Sequence, residues 1–295
     1  MEDLAHHADI DMNTTNRVFY NKLVMVSGGS SGIGLALSRQ LTLAGAHVYI
    51  LARRLENLTN TILELKSLKQ YPEQKIGLIS ADVSREKTTL SIIEKFIQKV
   101  GVPDYLINSA GITYPGTILE LPMDVYHDMM NVNYFGMVTL IKAMLPAMIK
   151  KGSGHIVNIS SFVGFYASYG YSAYAASKFA VKGFSDVLRA ELKPEGIHIS
   201  VVFPADVDTP QLAFERELQS QIMRDINTAG GLMSPDAVAK SILIGVAKNR
   251  YIITPGFQST LAYFISQVAG YLLYPIMDFL VSSGLKKAKR RNEHP

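Results

Sequence analysis

Tyr174 and Lys178 stand four residues apart in Tyr174-Ala175-Ala176-Ser177-Lys178. On a helix that spacing puts both side chains on one face, one turn apart. A free phenol has a pKa of about 10, too high to exchange protons readily near neutrality. A neighbouring ammonium stabilises the phenolate, so the pair suits a general acid that protonates a ketone oxygen during reduction. Tyr171 has Ala175 at the equivalent spacing and therefore no lysine partner. Ser160-Ser161 follows the apolar run His155-Ile156-Val157-Asn158-Ile159. A hydroxyl at that point can hydrogen-bond a substrate oxygen and the charge that develops on it. Asn133, in Asn131-Val132-Asn133-Tyr134-Phe135-Gly136, falls inside a long helical pattern. A buried amide there needs partners, either a water that relays protons or the packing of the helix itself.

A second group of residues is suited to holding a phosphate. Ser27-Gly28-Gly29-Ser30-Ser31-Gly32-Ile33-Gly34 joins an apolar run to a helical pattern. Gly28 permits a tight turn, Gly32 lets a pyrophosphate approach the backbone, and Gly34 lets helix and strand pack closely. The helix N-terminus then offers free N–H groups to the phosphates. A P-loop is disfavoured, because no Gly-Lys-Ser/Thr follows. At the end of the next apolar run the chain reads Leu51-Ala52-Arg53-Arg54, with no acid to hold the free ribose hydroxyls of NAD. An arginine there can grip the 2′-phosphate of NADP. Arg53 is the first choice and Arg54 the second.

These residues need a scaffold, and the surrounding pattern supplies one. Lys22–Ser27 and His47–Ala52 read as buried strands around the first helix. The alternation continues through IGLISADV, DYLINSAG, GHIVNISS and GIHISVVFPA, with helical patterns between them. Six apolar strands alternating with helices predict an α/β fold, a doubly wound parallel sheet covered by helices on both faces. Gln211–Gly231 reads as a polar, irregular segment over the strand ends. Ser234-Pro235 marks a helix start. The composition agrees: 48% of the residues are hydrophobic and 18% charged, enough for a sizeable core and unlike a disordered chain. With no cysteine, thiolate metal sites, disulfides and cysteine nucleophiles are excluded, and no metal site is expected. The net charge of +4, much of it in Lys286, Lys287, Lys289, Arg290 and Arg291, lacks the interleaved aromatics of a nucleic-acid surface. No nucleic-acid partner is expected. The first residues carry no basic or apolar signal region, and His6 and His7 read as part of a polar leader.

The motifs SGGSSGIG, ADV, NSAG, NVNYFG, HIVNISS and YAASK stand in the order and spacing of one family. From about Lys22 to Asn249 the chain resembles the short-chain dehydrogenase/reductases. The resemblance implies a Rossmann-type domain using NADPH/NADP+, with Asn133, Ser161, Tyr174 and Lys178 as a catalytic tetrad. Ser161 rather than Ser160 then has the family's distance to the tyrosine. Lys178 and Tyr174 would also contact the nicotinamide ribose. Asp82 and Val83 would border the adenine. Asn108, Ala110 and Gly111 would support the cofactor, and Pro204, Val207 and Thr209 would meet its carboxamide end. Three departures stand out: Ser27 for the usual threonine, Ser109 for an asparagine, and Ala205 for the glycine after Pro204. The stretch FPADVDTPQLAFE is similar to the branch that reduces 3-ketodihydrosphingosine.

Tyr251–Met277 contains no Lys, Arg, Asp or Glu. Roughly 20 apolar residues suffice to span a bilayer. Here Gly270, Tyr274, Asp278 and Ser282 form a polar stripe, and Pro275 should break or kink a helix. A pair of amphipathic helices in the membrane interface fits best. A span or a soluble dimer or lid element are the alternatives. The expected organisation is a leader (1–20), an NADP-binding catalytic domain (21–250) and an apolar segment with a basic tail (251–295). The expected function is NADPH-dependent reduction of a long-chain lipid ketone at a membrane surface, with the catalytic domain on the cytoplasmic side. Steroid, retinal or 3-oxoacyl reduction is a second reading, and a non-catalytic NADPH-binding sensor or scaffold a third. The family resemblance also implies a homodimer or homotetramer.

Overall fold

The computed structural model describes residues 14–226 and 231–293, with 288–293 as backbone. His6 and His7 and the side chains of Lys289, Arg290 and Arg291 lie outside the described residues. A short helix α1 (14–19) leads into β1 (Leu23–Ser27), α2 (Gly32–Leu43), β2 (His47–Ala52), α3 (Leu55–Ser67), β3 (Ile76–Ser80), α4 (Glu86–Lys99) and β4 (Tyr105–Asn108). The second half runs through α5 (Met123–Met130), α6 (Gly136–Lys151), β5 (Gly154–Ile159), α7 (Ser172–Leu192) and β6 (Ile197–Val202). Then follow α8 (Pro210–Leu218), α9 (Gln221–Ile226), α10 (Pro235–Ala247), β7 (Ile252–Ile253), α11 (Phe257–Ala269) and α12 (Leu273–Glu293).

Among the described residues the strands form one seven-stranded sheet in the order β3-β2-β1-β4-β5-β6-β7, every neighbouring pair parallel. Parallel strands need crossovers, and the helices that supply them cover both faces. One core layer gathers Val24, Val26 and Ile50 under α2 and α10; the other gathers Met25, Leu106 and Ile156 under α4, α6 and α7. This is the expected doubly wound sheet, with two additions at its margins. Phe19 of α1 is fully buried and packs on Tyr105 at 5.0 Å between ring centroids, so the core begins before residue 21. Burying such a side chain stabilises the fold by about 2 kcal/mol. The seventh strand, Ile252–Ile253, extends the sheet past β6, with Val201 N–H bonded to Tyr251 O at 2.7 Å. Two residues are too few to show a period in the sequence.

Gln211–Gly231 differs from the irregular segment expected. Its described part holds α8 and α9. Thr209 caps α8 by accepting from the N–H of Leu212 at 3.3 Å, and Pro210 occupies the first turn. That is the same cap-and-proline device that starts α10 at Ser234-Pro235. α5 and α6 are joined without a break by a π-helical turn at Asn131–Phe135.

Among the described residues, two helical stretches are long and apolar enough to cross a membrane. The most apolar window of 123–151 is half buried in the domain, whereas that of 257–287 has no buried residue. The second stretch is a pair: a 3-10 turn at Gly270–Leu272 separates α11 from α12. Pro275 sits in the first turn of α12, where a missing N–H costs nothing.

Candidate active site

The order in which strands are added to the sheet reverses between β1 and β4, and ligands of open α/β sheets bind in the crevice outside the strand ends at such a point. The glycine turn lies there. Gly28 has φ +70°, and a Cβ on it would sit 2.8 Å from the Ala110 backbone. A Cβ on Gly34 would lie 2.3 Å from the Gly28 carbonyl oxygen, so α2 starts pressed against the turn. Ser31 precedes α2 without a side-chain cap, and the first turn holds no acid. Its N–H groups and partial positive charge are therefore available to an anion. Ser30, Ser31 and Ile33 are at least partly exposed along this edge. Ser27 at the end of β1 accepts from the N–H of Ser109 at 3.2 Å and of Ala110 at 3.3 Å. The serine thus does what a threonine hydroxyl would do, and ties the turn to β4.

Arg53 and Arg54 follow β2 as exposed side chains, and neither forms an ion pair among the described residues. After β3, Asp82 accepts from the Ser84 N–H and hydroxyl at 3.0 and 2.8 Å, and Val83 is buried against Gly136. At the end of β4, Asn108 donates to Asn158 Oδ1 at 2.9 Å, and Asn158 donates to Ser185 Oγ at 2.9 Å. This buried chain couples β4, β5 and α7. On the far side, Pro204 O accepts from Phe162 N–H at 2.8 Å, and Val207 bridges to Met233. Ala205 takes no positive φ, which accounts for alanine in place of glycine. Thr209 closes the circle: a Cβ on Gly32 would lie 3.1 Å from its methyl group.

The proposed tetrad converges from three elements: the π turn, the turn after β5 and α7. The π turn directs Asn133 inward, to 2% exposure. Its amide donates to Ile112 O and Ser177 Oγ, both at 2.9 Å, and accepts from Ile112 N–H at 2.8 Å. Both amide protons are used inside the protein, so a water on this side chain would meet only the remaining oxygen lone pair. Ser160 points away, donating to Lys178 O at 2.9 Å. Ser161 begins the 3-10 turn Phe162–Gly164 and lies beside Tyr174. Lys178, 5% exposed, donates to Ile159 O at 3.0 Å, with Nζ 5.6 Å from the Tyr174 ring centroid.

Electrostatics here differ from the simple lysine–phenol expectation. Burial, with the nearby Glu215 charge, raises the Tyr174 phenol above its ordinary value, and hydrogen bonding with Ser161 and Gln211 only partly opposes this. Burial lowers the Lys178 ammonium to about 8. In the ligand-free site desolvation therefore outweighs any help from the lysine, and Tyr174 carries its proton throughout the neutral range. That is the state a proton donor needs.

Gln211, Glu215 and Gln219 complete the site beside Tyr171, and none of them is among the site residues expected from the sequence. Tyr171, 7% exposed, donates to Glu215 Oε2 at 3.0 Å and accepts from Gln219 at 2.6 Å. Gln211 donates to Glu215 Oε1 at 3.3 Å and also contacts the Tyr174 hydroxyl. Thr209-Pro210 was the available signal for the helix that carries them.

The arrangement is a glycine turn at a helix N-terminus, an exposed arginine with no ion pair among the described residues, and a partly buried Ser161 and Tyr174 beside the buried Lys178. These residues fit a nicotinamide dinucleotide, and no metal-ligating group of three occurs among the described residues. Comparison with known proteins agrees. The model of the short chain dehydrogenase family matches residues 22–220. Dehydrogenase/reductase SDR family member 7B of Xenopus laevis is 35% identical over 261 residues, covering 87% of this chain and 80% of that protein. The 3-dehydrosphinganine reductase of Danio rerio is 34% identical over 221 residues, covering 75% and 67%. A short-chain dehydrogenase from Sphingobium yanoikuyae in complex with NADPH superposes with a TM-score of 0.73 at 25% identity, covering 85% of this chain and 94% of that one.

Proposed function

The chain belongs to the short-chain dehydrogenase family, and from that premise we propose that it reduces a long-chain lipid ketone with NADPH, converting 3-ketodihydrosphingosine to dihydrosphingosine. The observation that carries this reading is the position of the α11–α12 pair. Tyr263 of α11 stacks on Phe203 at 5.3 Å and meets Phe165, just after the Ser161 turn, edge-on at 5.1 Å. Gly284 of α12 is buried against Ile226 of α9. The outer face meanwhile exposes Phe257, Phe264, Val268, Tyr271 and Phe279. An apolar surface thus borders both sides of the crevice, as a substrate drawn from a membrane requires. The relative from Danio rerio, named for a sphinganine reaction, supports the same reading.

In this mechanism Ser161 and Tyr174 hydrogen-bond the ketone oxygen. Tyr174 then donates its proton to that oxygen as charge develops. Lys178, fixed by Ile159 O, holds the nicotinamide ribose. Asn133 keeps Ser177 and the Ile112 backbone in place beneath them. The α2 N-terminus takes the pyrophosphate, Arg53 the 2′-phosphate, and Asp82–Val83 the adenine edge. The cofactor, when bound, supplies the hydride.

Arg53→Ala is expected to cut the preference for NADPH over NADH by about 10- to 100-fold, the scale of charge-assisted hydrogen bonding. The ratio of kcat/KM for the two cofactors measures it. An unchanged ratio would move the role to Arg54.

Reduction of a different ketone is the second reading, favoured by the similarity to the Xenopus laevis relative, whose name states no substrate. Turnover of a panel in lipid vesicles decides between them. The expected order places 3-ketodihydrosphingosine above steroid ketones, retinal and 3-oxoacyl thioesters in kcat/KM. A reversed order replaces the first reading with the second.

A further inference from the structure

Glu215 is a carboxylate without a cation. It is 9% exposed on α8, and no lysine, arginine or histidine lies within ion-pair distance among the described residues. Its partners, Tyr171 and Gln211, are neutral donors. Burying an unpaired charge is costly, and holding the proton on Tyr174 does not require one, since burial is the larger cause there. Its location is informative. Gln211 touches both the Glu215 carboxylate and the Tyr174 hydroxyl, so the carboxylate lies about one amide group from the proton donor. The Tyr171 ring, which also holds Glu215, is 6.2 Å from the Tyr174 ring. Asp206, at the start of the same loop, adds negative potential at this end of the crevice.

We propose that Glu215 binds the ammonium group of an α-amino ketone substrate and makes this enzyme selective for amino ketones over plain ketones. The inference rests on the lipid-ketone reading above. In such a substrate the amine is attached to the carbon next to the carbonyl. With the ketone oxygen at Ser161 and Tyr174, the amine falls within a few ångströms of it, on the side where Gln211 and Glu215 stand. Tyr171, Gln211 and Gln219 fix the carboxylate in advance, which lowers the ordering cost of binding. Burial also holds the Glu215 carboxyl above its ordinary range, so an arriving cation relieves an existing penalty. Each partner thus supplies the counter-charge the other lacks, which a plain ketone cannot do.

The test compares 3-ketodihydrosphingosine with its 2-deamino analogue, in vesicles, for the unaltered protein and for Glu215→Gln. The unaltered protein is expected to favour the amino ketone. In Glu215→Gln the kcat/KM ratio of the two substrates should fall by about 10- to 100-fold, chiefly through KM, as expected for one charge-assisted hydrogen bond. Should Glu215→Gln fail to fold, a measurement on the unaltered protein remains: dihydrosphingosine should inhibit more strongly than its 2-deamino analogue. Equal kcat/KM for the two ketones, equal inhibition by the two alcohols, or equal losses on both ketones in Glu215→Gln would each overturn the amine site while leaving a lipid ketone reductase intact. Turnover of neither ketone by the unaltered protein would remove the lipid-ketone reading itself, and the amine site with it.

Discussion

Replacing Tyr174 with phenylalanine is expected to lower ketone reduction by about 10³-fold or more, the range of a lost general acid, while NADPH still binds. The substitution removes one oxygen and keeps the ring, so α7 and its packing should be preserved. What is lost is the proton that burial and Glu215 keep on the phenol. The two neighbouring hydroxyls of Ser160 and Tyr171 do not replace it. Ser160 is committed to Lys178 O, and Tyr171 to Glu215 and Gln219. The phosphate-binding turn and Arg53 belong to other elements and should hold the cofactor unaided. Steady-state turnover and a fluorescence titration of NADPH measure the two effects separately. Activity close to that of the unaltered protein would remove Tyr174 from the chemistry. Loss of NADPH binding in parallel would make it a cofactor ligand first.

How much of this was legible beforehand depends on the physical scale of each signal. The glycine turn, the apolar strands and the Tyr174–Lys178 spacing are local patterns, and each forms the element its residues suggest. Ser161 and Ser160 are adjacent and chemically identical; only the direction of a strand end separates them, and that direction is set by the neighbouring α7. Glu215 illustrates the limit more sharply. In the sequence it is one acid among polar residues of a segment that reads as loop. Its burial arises because Leu212 and Glu215 share a helix face turned toward Tyr171. β7 was unreadable for another reason: its two residues pair only because β6 already stands there. The π turn was likewise hidden, since one extra residue per turn leaves the apolar pattern of a long helix almost unchanged.

A triple substitution on the outer face, Phe264→Glu, Val268→Glu and Phe279→Glu, is expected to abolish vesicle binding. Removing the whole apolar segment after residue 250 would be a cruder experiment. It would delete β7 from the sheet and strip Tyr263 from Phe165 and Phe203. The three side chains chosen are 63%, 68% and 72% exposed, so the fold should tolerate the change. Phe264 and Val268 share one face of α11, one turn apart. Burying three such groups in a lipid interface is worth about 5 kcal/mol, or more than roughly 10³-fold in partitioning. Flotation with anionic vesicles reads the binding. kcat/KM across chain lengths reads the consequence, which should be greater for long ketones than for short soluble ones. Full flotation by the triple variant would rule out this face as the membrane contact and favour a dimer or lid role for the pair.

The contact between α12 and α9 gives the two halves of this enzyme a common thermodynamic variable. Lys287 pairs with Asp225 at 3.3 Å, and Gly284 lies against Ile226. The helix next to α8, which carries Gln211 and Glu215, is thus anchored to a helix whose other side is apolar and uncovered. A surface that takes up α12 also acts on α9. Linked equilibria are reciprocal: if lipid favours one placement of α9, a ligand favouring that placement raises lipid affinity by the same factor. If the proposed membrane contact holds, residence there and readiness of the crevice change together, and a soluble assay samples only one end of that coupled equilibrium.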